Sequence, residues 1–127
     1  MYFRRQKGSK YNATKTIVDG IAFDSRKEAR RFKELSHLAA IGEITDLQLQ
    51  VPYELIPAYK EPDTVGIRGG KIRGKTIERA VIYKADFQYK DKDGRLIVED
   101  VKGMKTPEYV LKRKLMLWRW NIQIHEV

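Results

Sequence analysis

The 127-residue sequence predicts a single α/β domain whose elements run α-β-β-β-α-β behind a small β-hairpin. Three observations carry this. Segments 25–41 and 107–120 place apolar residues at helical spacing behind capping signals. Segment 79–103 holds two strand-like runs on either side of a tight-turn sequence. The chain is long enough for one compact domain and too short for two comfortable ones.

In chain order, residues 1–15, "MYFRRQKGSKYNATK", carry five cations and no acid, and read as a flexible basic arm. "TIVDGIAF" at 16–23 is two short β-like runs around Asp19-Gly20, a type I′ hairpin signal. Ser25 followed by Glu28 fits a capping box, Ala29, Phe32, Leu35, Leu38 and Ala39 supply the apolar stripe, and Gly42 suits a helix terminus. A strand alternating at Leu47, Leu49 and Val51 is expected to be interrupted at Pro52. Residues 60–78, rich in Gly, Lys and Arg, read either as a long flexible loop or as the tip of a hairpin. "RAVIYKADFQYK" (79–90), the turn "DKDG" (91–94) and "RLIVEDVKG" (95–103) form an antiparallel pair. Thr106-Pro107 caps a second helix whose apolar residues are Val110, Leu111, Leu115, Leu117 and Trp118, and "NIQIHEV" closes the chain as a short strand.

Composition narrows the chemistry. The absence of cysteine removes disulfides, thiolate catalysis and cysteine-based zinc sites together. The two histidines, His37 and His125, fall in ordinary helix and strand patterns, so a metal would be held by carboxylates, which favours Mg²⁺ or Mn²⁺. A net charge of +9 points to a polyanionic partner, and nucleic acid is the expected one. No apolar run approaches the roughly 20 residues that span a bilayer, and nothing points to export, so the expected location is the cytoplasm.

The chemistry-bearing feature is acidic. In a strand, Val98, Asp100 and Lys102 share one face, and Glu99 lies on the other. Asp86 interrupts an otherwise apolar and aromatic run on the partner strand, roughly opposite Asp100. Two carboxylates brought together repel, and a divalent cation resolves the repulsion. Spacing alone leaves two readings: metal-assisted hydrolysis of a phosphodiester, with Lys102 orienting water, or an edge-strand ion pair between Asp100 and Lys102 with Asp86 capping a bend.

"ADF" at 85–87 followed one hairpin later by Asp100-Val101-Lys102 resembles the PD-(D/E)XK nuclease superfamily. The resemblance covers about residues 22–127 and implies a restriction-endonuclease-like core, a mixed central sheet flanked by helices. It implies that Asp86 and Asp100 bind metal, that Lys102 is the catalytic lysine and that the backbone carbonyl of Val101 is a further ligand. It also implies a glutamate on the first helix, matched by Glu28, acting on the metal directly or through water; as the capping partner of Ser25, Glu28 has a competing role. The chain departs from the family pattern at Ala85, where proline is usual, and at Asp100, where glutamate is commoner. Glu99, one residue earlier, is the alternative ligand if the strand is bulged. The "SKYNA" and "VEDVKG" stretches are also similar to a narrower group of small phage-encoded proteins with Holliday-junction resolvases among their structural relatives.

The resulting expectation is a Mg²⁺- or Mn²⁺-dependent DNA endonuclease of the phage-infected host cytoplasm. Its expected substrate is a Holliday junction or other branched DNA, cut by a homodimer with one active site per strand. The alternative is a non-catalytic nucleic-acid-binding protein on a degenerate nuclease fold. Expected phosphate contacts are Arg4, Arg5, Lys7 and Lys10 in the arm, Arg68, Lys71, Arg73 and Lys75 in the basic loop, and Lys105, Lys112 and Arg113 at the second helix. Tyr2, Phe3 and Tyr11 are candidates for stacking on unpaired bases.

Overall fold

A computed structural model describes residues 15–127, which form an α/β structure with two helices, a mixed four-stranded sheet and an N-terminal β-hairpin. The chain gathers into two compact units, one made of residues up to Leu47 with Tyr89–Leu96, the other of Gln48–Gln88 with Ile97–Val127.

The first unit opens on the expected hairpin, β1 (Thr16–Val18) paired antiparallel with β2 (Ile21–Phe23). Asp19 and Gly20 have φ of 52° and 78°, the two left-handed conformations that a type I′ turn demands. Helix α1 (Arg26–Ala40) follows, with Ser25 Oγ accepting from the Glu28 N–H. Gly42, at φ 78°, and Glu43 close it by donating to the carbonyls of Ala39 and Leu38. Ala29, Phe32 and Leu35 are buried as the helical stripe requires, and Phe32 meets Phe23 with ring centroids 5.0 Å apart.

Strand β3 (Thr45–Ile56) continues through Pro52, contrary to the interruption its sequence implies. It stands at the edge of the sheet, where a missing N–H breaks no ladder bond. Between β3 and the next long strand the chain forms a two-stranded ribbon, so the basic segment is a hairpin and not a loop. Strand β4 (Tyr59–Lys60) and, nearer the tip, β5 (Thr64–Val65) go out, while β6 (Lys71–Ile72) and β7 (Thr76–Glu78) return to pair with β5 and β4 respectively.

Strands β8 (Val81–Lys90) and β9 (Leu96–Asp100) are joined by the Asp91–Gly94 turn and therefore run antiparallel. Helix α2 (Pro107–Trp120) returns the chain to β10 (His125–Glu126), which lies parallel to β9. The sheet order is β10-β9-β8-β3. Thr106 Oγ1 accepts from the Tyr109 N–H, Pro107 occupies the first turn, and Asn121 at φ 54° ends the helix.

The buried stripe of α2 differs from the one its sequence implies. Tyr109 and Met116, two turns apart, are the buried residues; Val110 and Leu115 are half-buried; Leu111, Leu117 and Trp118 face outward. Met116 joins Leu55, Tyr83, Ala85, Val98 and Ile124 in the core of the second unit. At the end of the helix, the guanidinium of Arg119 and the indole N–H of Trp120 both donate to the Glu54 carbonyl of edge strand β3, which blunts that edge.

Met116 has no exposed surface, so Met116→Ala is expected to lower the unfolding free energy by about 3 kcal/mol through lost burial and a residual cavity. Denaturant titration followed by far-UV circular dichroism measures it.

Candidate active site

The site grows from the point where β9 ends. Sequence spacing implies a strand reaching Gly103, yet the strand ends at Asp100. The next amide, Val101 N–H, donates to the side chain of Asp86 (Oδ2, 2.8 Å). On the other side, Val127 N–H donates to the Asp100 carbonyl at 3.0 Å and Lys102 N–H donates to the Val127 carbonyl at 3.2 Å. The Asp100-Val101-Lys102 backbone is thus clamped between a carboxylate from β8 and the C-terminal residue.

Asp100 is 2% exposed. Its Oδ2 accepts from the Tyr83 hydroxyl at 2.6 Å. Lys102 Nζ stands 3.1 Å from Oδ1, an ion pair without the angles of a hydrogen bond, so Oδ1 is a buried oxygen with no hydrogen-bond partner among the described residues. The same ammonium lies 4.1 Å from the centre of the Tyr109 ring, a cation–π contact. Burial first, then the hydrogen bond from Tyr83 to Asp100, pushes the Tyr83 hydroxyl far above its ordinary range, so it stays a proton donor. Burial followed by the charge of Asp100 does the same for Tyr109.

Asp86 lies out of step with the buried positions of β8, Tyr83, Ala85 and Phe87, but reaches the same cleft. Its Oδ1 accepts from Gln50 Nε2 at 3.3 Å. Desolvation raises its pKa to about 6, Asp100 adds to the rise, and the Val101 N–H, Gln50 and Lys102 oppose it. Tyr83 and Asp86 on β8 thus both reach the end of β9, Tyr83 through the Asp100 side chain and Asp86 through the Val101 N–H one residue on. Gln50 carries φ 52° inside β3, a left-handed residue that re-aims the chain as a bulge does.

Asp86, Asp100, Lys102 and Lys112 line one cleft of about 320 Å³, together with Tyr83 and Lys84 on β8 and Thr106, Glu108 and Tyr109 at the start of α2. Lys112 is paired with Glu108 at 3.1 Å. Glu99 is buried but does not line this cleft, so Asp100 and not Glu99 belongs to it. Lys105 and Arg113 converge on Glu126, at 2.6 Å and 2.8 Å, and hold its carboxyl down at about 2. Arg68, Lys71, Arg73 and Lys75 are exposed on the ribbon, with Lys71 3.2 Å from Asp63. Glu28 is buried in the first unit, and its backbone contribution to the helix cap is present. Arg4, Arg5, Lys7, Lys10, Tyr2, Phe3 and Tyr11 lie outside the described residues.

Among the described residues no group of three or more His, Cys, Asp or Glu side chains is disposed to hold a metal. The donors that do fit a hard cation are the oxygens of Asp86 and Asp100, above all Asp100 Oδ1, which takes part in an ion pair but accepts no hydrogen bond from the described residues, with the Val101 carbonyl adjacent in the chain. Sequence reasoning missed Tyr83, Tyr109, Lys84 and Gln50. Tyr83 and Tyr109 look like core aromatics, and only the tertiary position of their hydroxyls and rings reveals another role; Gln50 depends on a backbone conformation that no propensity signals.

The chain belongs to the family described as "Protein of unknown function (DUF1064)", whose pattern matches residues 8–126. No curated protein and no solved structure matches it.

The raised pKa of Asp86 makes a signed prediction for the metal-free protein. An acid whose folded pKa lies above its unfolded value destabilises the fold once ionised. The penalty is complete above pH 6 and vanishes as pH falls below about 4. Asp86→Asn is expected to raise stability at pH 7.5, by on the order of 2 kcal/mol, and to flatten the pH 4–6 part of the stability profile. Denaturant unfolding at half-unit pH steps reads both effects.

Proposed function

We propose that this protein is a metal-dependent DNA endonuclease that hydrolyses phosphodiester bonds at the cleft of Asp86, Asp100 and Lys102. The observation that carries the reading is the buried, hydrogen-bond-free Oδ1 of Asp100 beside an ammonium, in a cleft shared with a second carboxylate. A structural ion pair has no need of a second, half-buried acid in the same cleft, because like charges in a partly desolvated site raise each other's cost. Asp86, Asp100 and the Val101 carbonyl would hold Mg²⁺ or Mn²⁺. The ion would supply Lewis-acid polarisation of a phosphate and a more acidic bound water.

The chain's own groups have separable tasks. Tyr83, kept protonated, donates to Oδ2 of Asp100 and fixes which oxygen faces the cleft. The Val101 N–H and Gln50 fix both oxygens of Asp86. Lys102, steered by the Tyr109 ring, offers a positive charge for the negative charge that develops on the phosphate. Lys84 and Lys112 at the rim attract the DNA backbone.

Branched DNA, and a Holliday junction in particular, is the proposed substrate, and a homodimer the proposed assembly. Two cuts in symmetric strands call for two sites related by a two-fold axis, and the outward Leu111, Leu117 and Trp118 offer apolar surface for such a contact. Among the described residues no helix is long and apolar enough to cross a membrane.

Two measurements decide between this reading and a non-catalytic DNA-binding protein. Calorimetric titration with Mn²⁺ is expected to show binding that Asp86→Asn and Asp100→Asn abolish and Lys102→Ala retains. Cleavage of a labelled four-way junction is expected to fall at least about 100-fold in Lys102→Ala, the loss typical of removing a group that stabilises transition-state charge. DNA binding without metal binding, or cleavage indifferent to Lys102→Ala, overturns the enzyme reading.

A further inference from the structure

The ribbon of residues 59–78 is the least buried part of the second unit: every residue from Ile56 to Arg79 is exposed except Gly66 and Gly74. Such a hairpin buries no core of its own and is marginal in isolation. Yet it is carefully built. Backbone pairing runs from Tyr59–Glu78 through the Glu61 N–H to Lys75 carbonyl bond (2.8 Å) and Val65–Lys71 to the Gly66 N–H to Gly70 carbonyl bond (2.7 Å). At Gly74 a Cβ would sit 1.7 Å from the Glu61 carbonyl oxygen, so only glycine lets the two strands approach there, and the Gly74 N–H is taken by Asp63 Oδ1.

The tip is a tight turn, with Gly69 N–H bonded to the Gly66 carbonyl at 2.9 Å and Gly69 at φ 81°. The two residues it displays are Ile67 and Arg68. Turn positions of this kind favour proline and small polar residues; here the chain puts an isoleucine, fully exposed, at its outermost point. Residues 64–75 hold Arg68, Lys71, Arg73 and Lys75 and no acid. Lys71 is paired with Asp63, whereas Arg68, Arg73 and Lys75 have no ion-pair partner among the described residues. An apolar tip ringed by uncompensated positive charge repels a second copy of itself and suits a polyanion with an apolar interior.

Duplex DNA is that polyanion. Proteins that kink DNA insert an apolar side chain between base pairs from the minor groove, and arginine is drawn to the groove's negative potential. Glycines on both sides of Ile67-Arg68 keep the tip thin enough for that groove. We propose that residues 59–78 are a DNA-deforming arm: Arg68, Arg73 and Lys75 hold phosphates along the minor groove while Ile67 wedges into a flexible base step and unstacks it. This deepens the nuclease reading by adding that the enzyme grips a duplex arm of its branched substrate at an easily opened step, and it rests on DNA being the partner.

The test is run in EDTA, where no cleavage occurs, on a duplex and a four-way junction carrying 2-aminopurine beside a TA step. The full chain is expected to raise the fluorescence by unstacking the probe. Ile67→Ser is expected to abolish the rise and weaken binding about fivefold, a loss of about 1 kcal/mol. Ile67→Leu is expected to keep the rise. The triple variant Arg68→Ala, Arg73→Ala, Lys75→Ala is expected to reduce the slope of log affinity against log salt by about two to three. Unstacking unchanged in Ile67→Ser overturns the wedge, as does a parent dimer that Ile67→Ser turns into a monomer with DNA binding intact. Metal-dependent cleavage is assayed separately. Intact cleavage without unstacking removes the arm proposal alone, and unstacking without cleavage removes the nuclease reading alone.

Discussion

The second unit is arranged around one expensive fact, a carboxylate at Asp100 that is almost entirely removed from water. An ionised side chain in such a place persists only where charge and hydrogen bonds offset its lost hydration. Here the offset is partial: Tyr83 serves one oxygen, while among the described residues the other meets the nearby ammonium of Lys102 and no hydrogen-bond donor. The neighbouring structure then follows. Tyr83 has to sit on the central strand, Tyr109 has to bring its ring under Lys102, and α2 has to begin where Thr106 caps it so that Tyr109 falls in the first turn.

The clamp on the strand end is the complement of that demand. A ladder bond in place of the one from Val101 N–H to Asp86 would have continued β9 and left Asp86 without its strongest support. Ending the strand at Asp100 couples the two carboxylates through one residue of backbone. With β10 and Val127 on the opposite side, the acid and the lysine are set by main-chain bonds as well as by side-chain packing. Groups that must meet a ligand at fixed distances gain most from this kind of support. The pKa of Asp86 is raised all the same, since desolvation and the nearby Asp100 outweigh the Val101 N–H, Gln50 and Lys102.

Much of this was legible because the relevant signals are local. Caps at Ser25 and Thr106, the Asp19-Gly20 turn and the Asp91–Gly94 turn each depend on a few adjacent residues, and each appears where those residues stand. The presence of Asp86, Asp100 and Lys102 in one cleft was legible for the same reason, since one short turn joins their strands. What escaped depends on position in the assembled sheet. Pro52 reads as a strand breaker until β3 proves to be an edge. Leu111, Leu117 and Trp118 read as a core stripe, yet the cap turns Tyr109 and Met116 inward instead. Lys105 and Arg113 read as phosphate contacts, and only β10 reveals that Glu126 stands between them.

Two hairpin tips in this chain share a backbone and differ in everything else. At Asp91–Gly94 and at Gly66–Gly69 the fourth residue is a left-handed glycine bonded back to the first, and the first residue's N–H bonds to the carbonyl beyond. The Asp91 tip is finished as turn chemistry prefers: its carboxylate accepts from the N–H groups of Asp93 and Arg95, and Lys92 is paired with Glu43. The other tip replaces the aspartate with glycine and puts isoleucine and arginine where lysine and aspartate stand. Backbone geometry therefore does not require Ile67 or Arg68, since the same turn closes elsewhere in this chain with polar residues. Stability does not ask for them either, because an exposed isoleucine buries nothing and an unpaired arginine adds to an existing excess of positive charge. A residue pair that neither the turn nor the fold needs, carried at the end of a ribbon closed by glycines, is accounted for by what the ribbon meets outside the protein.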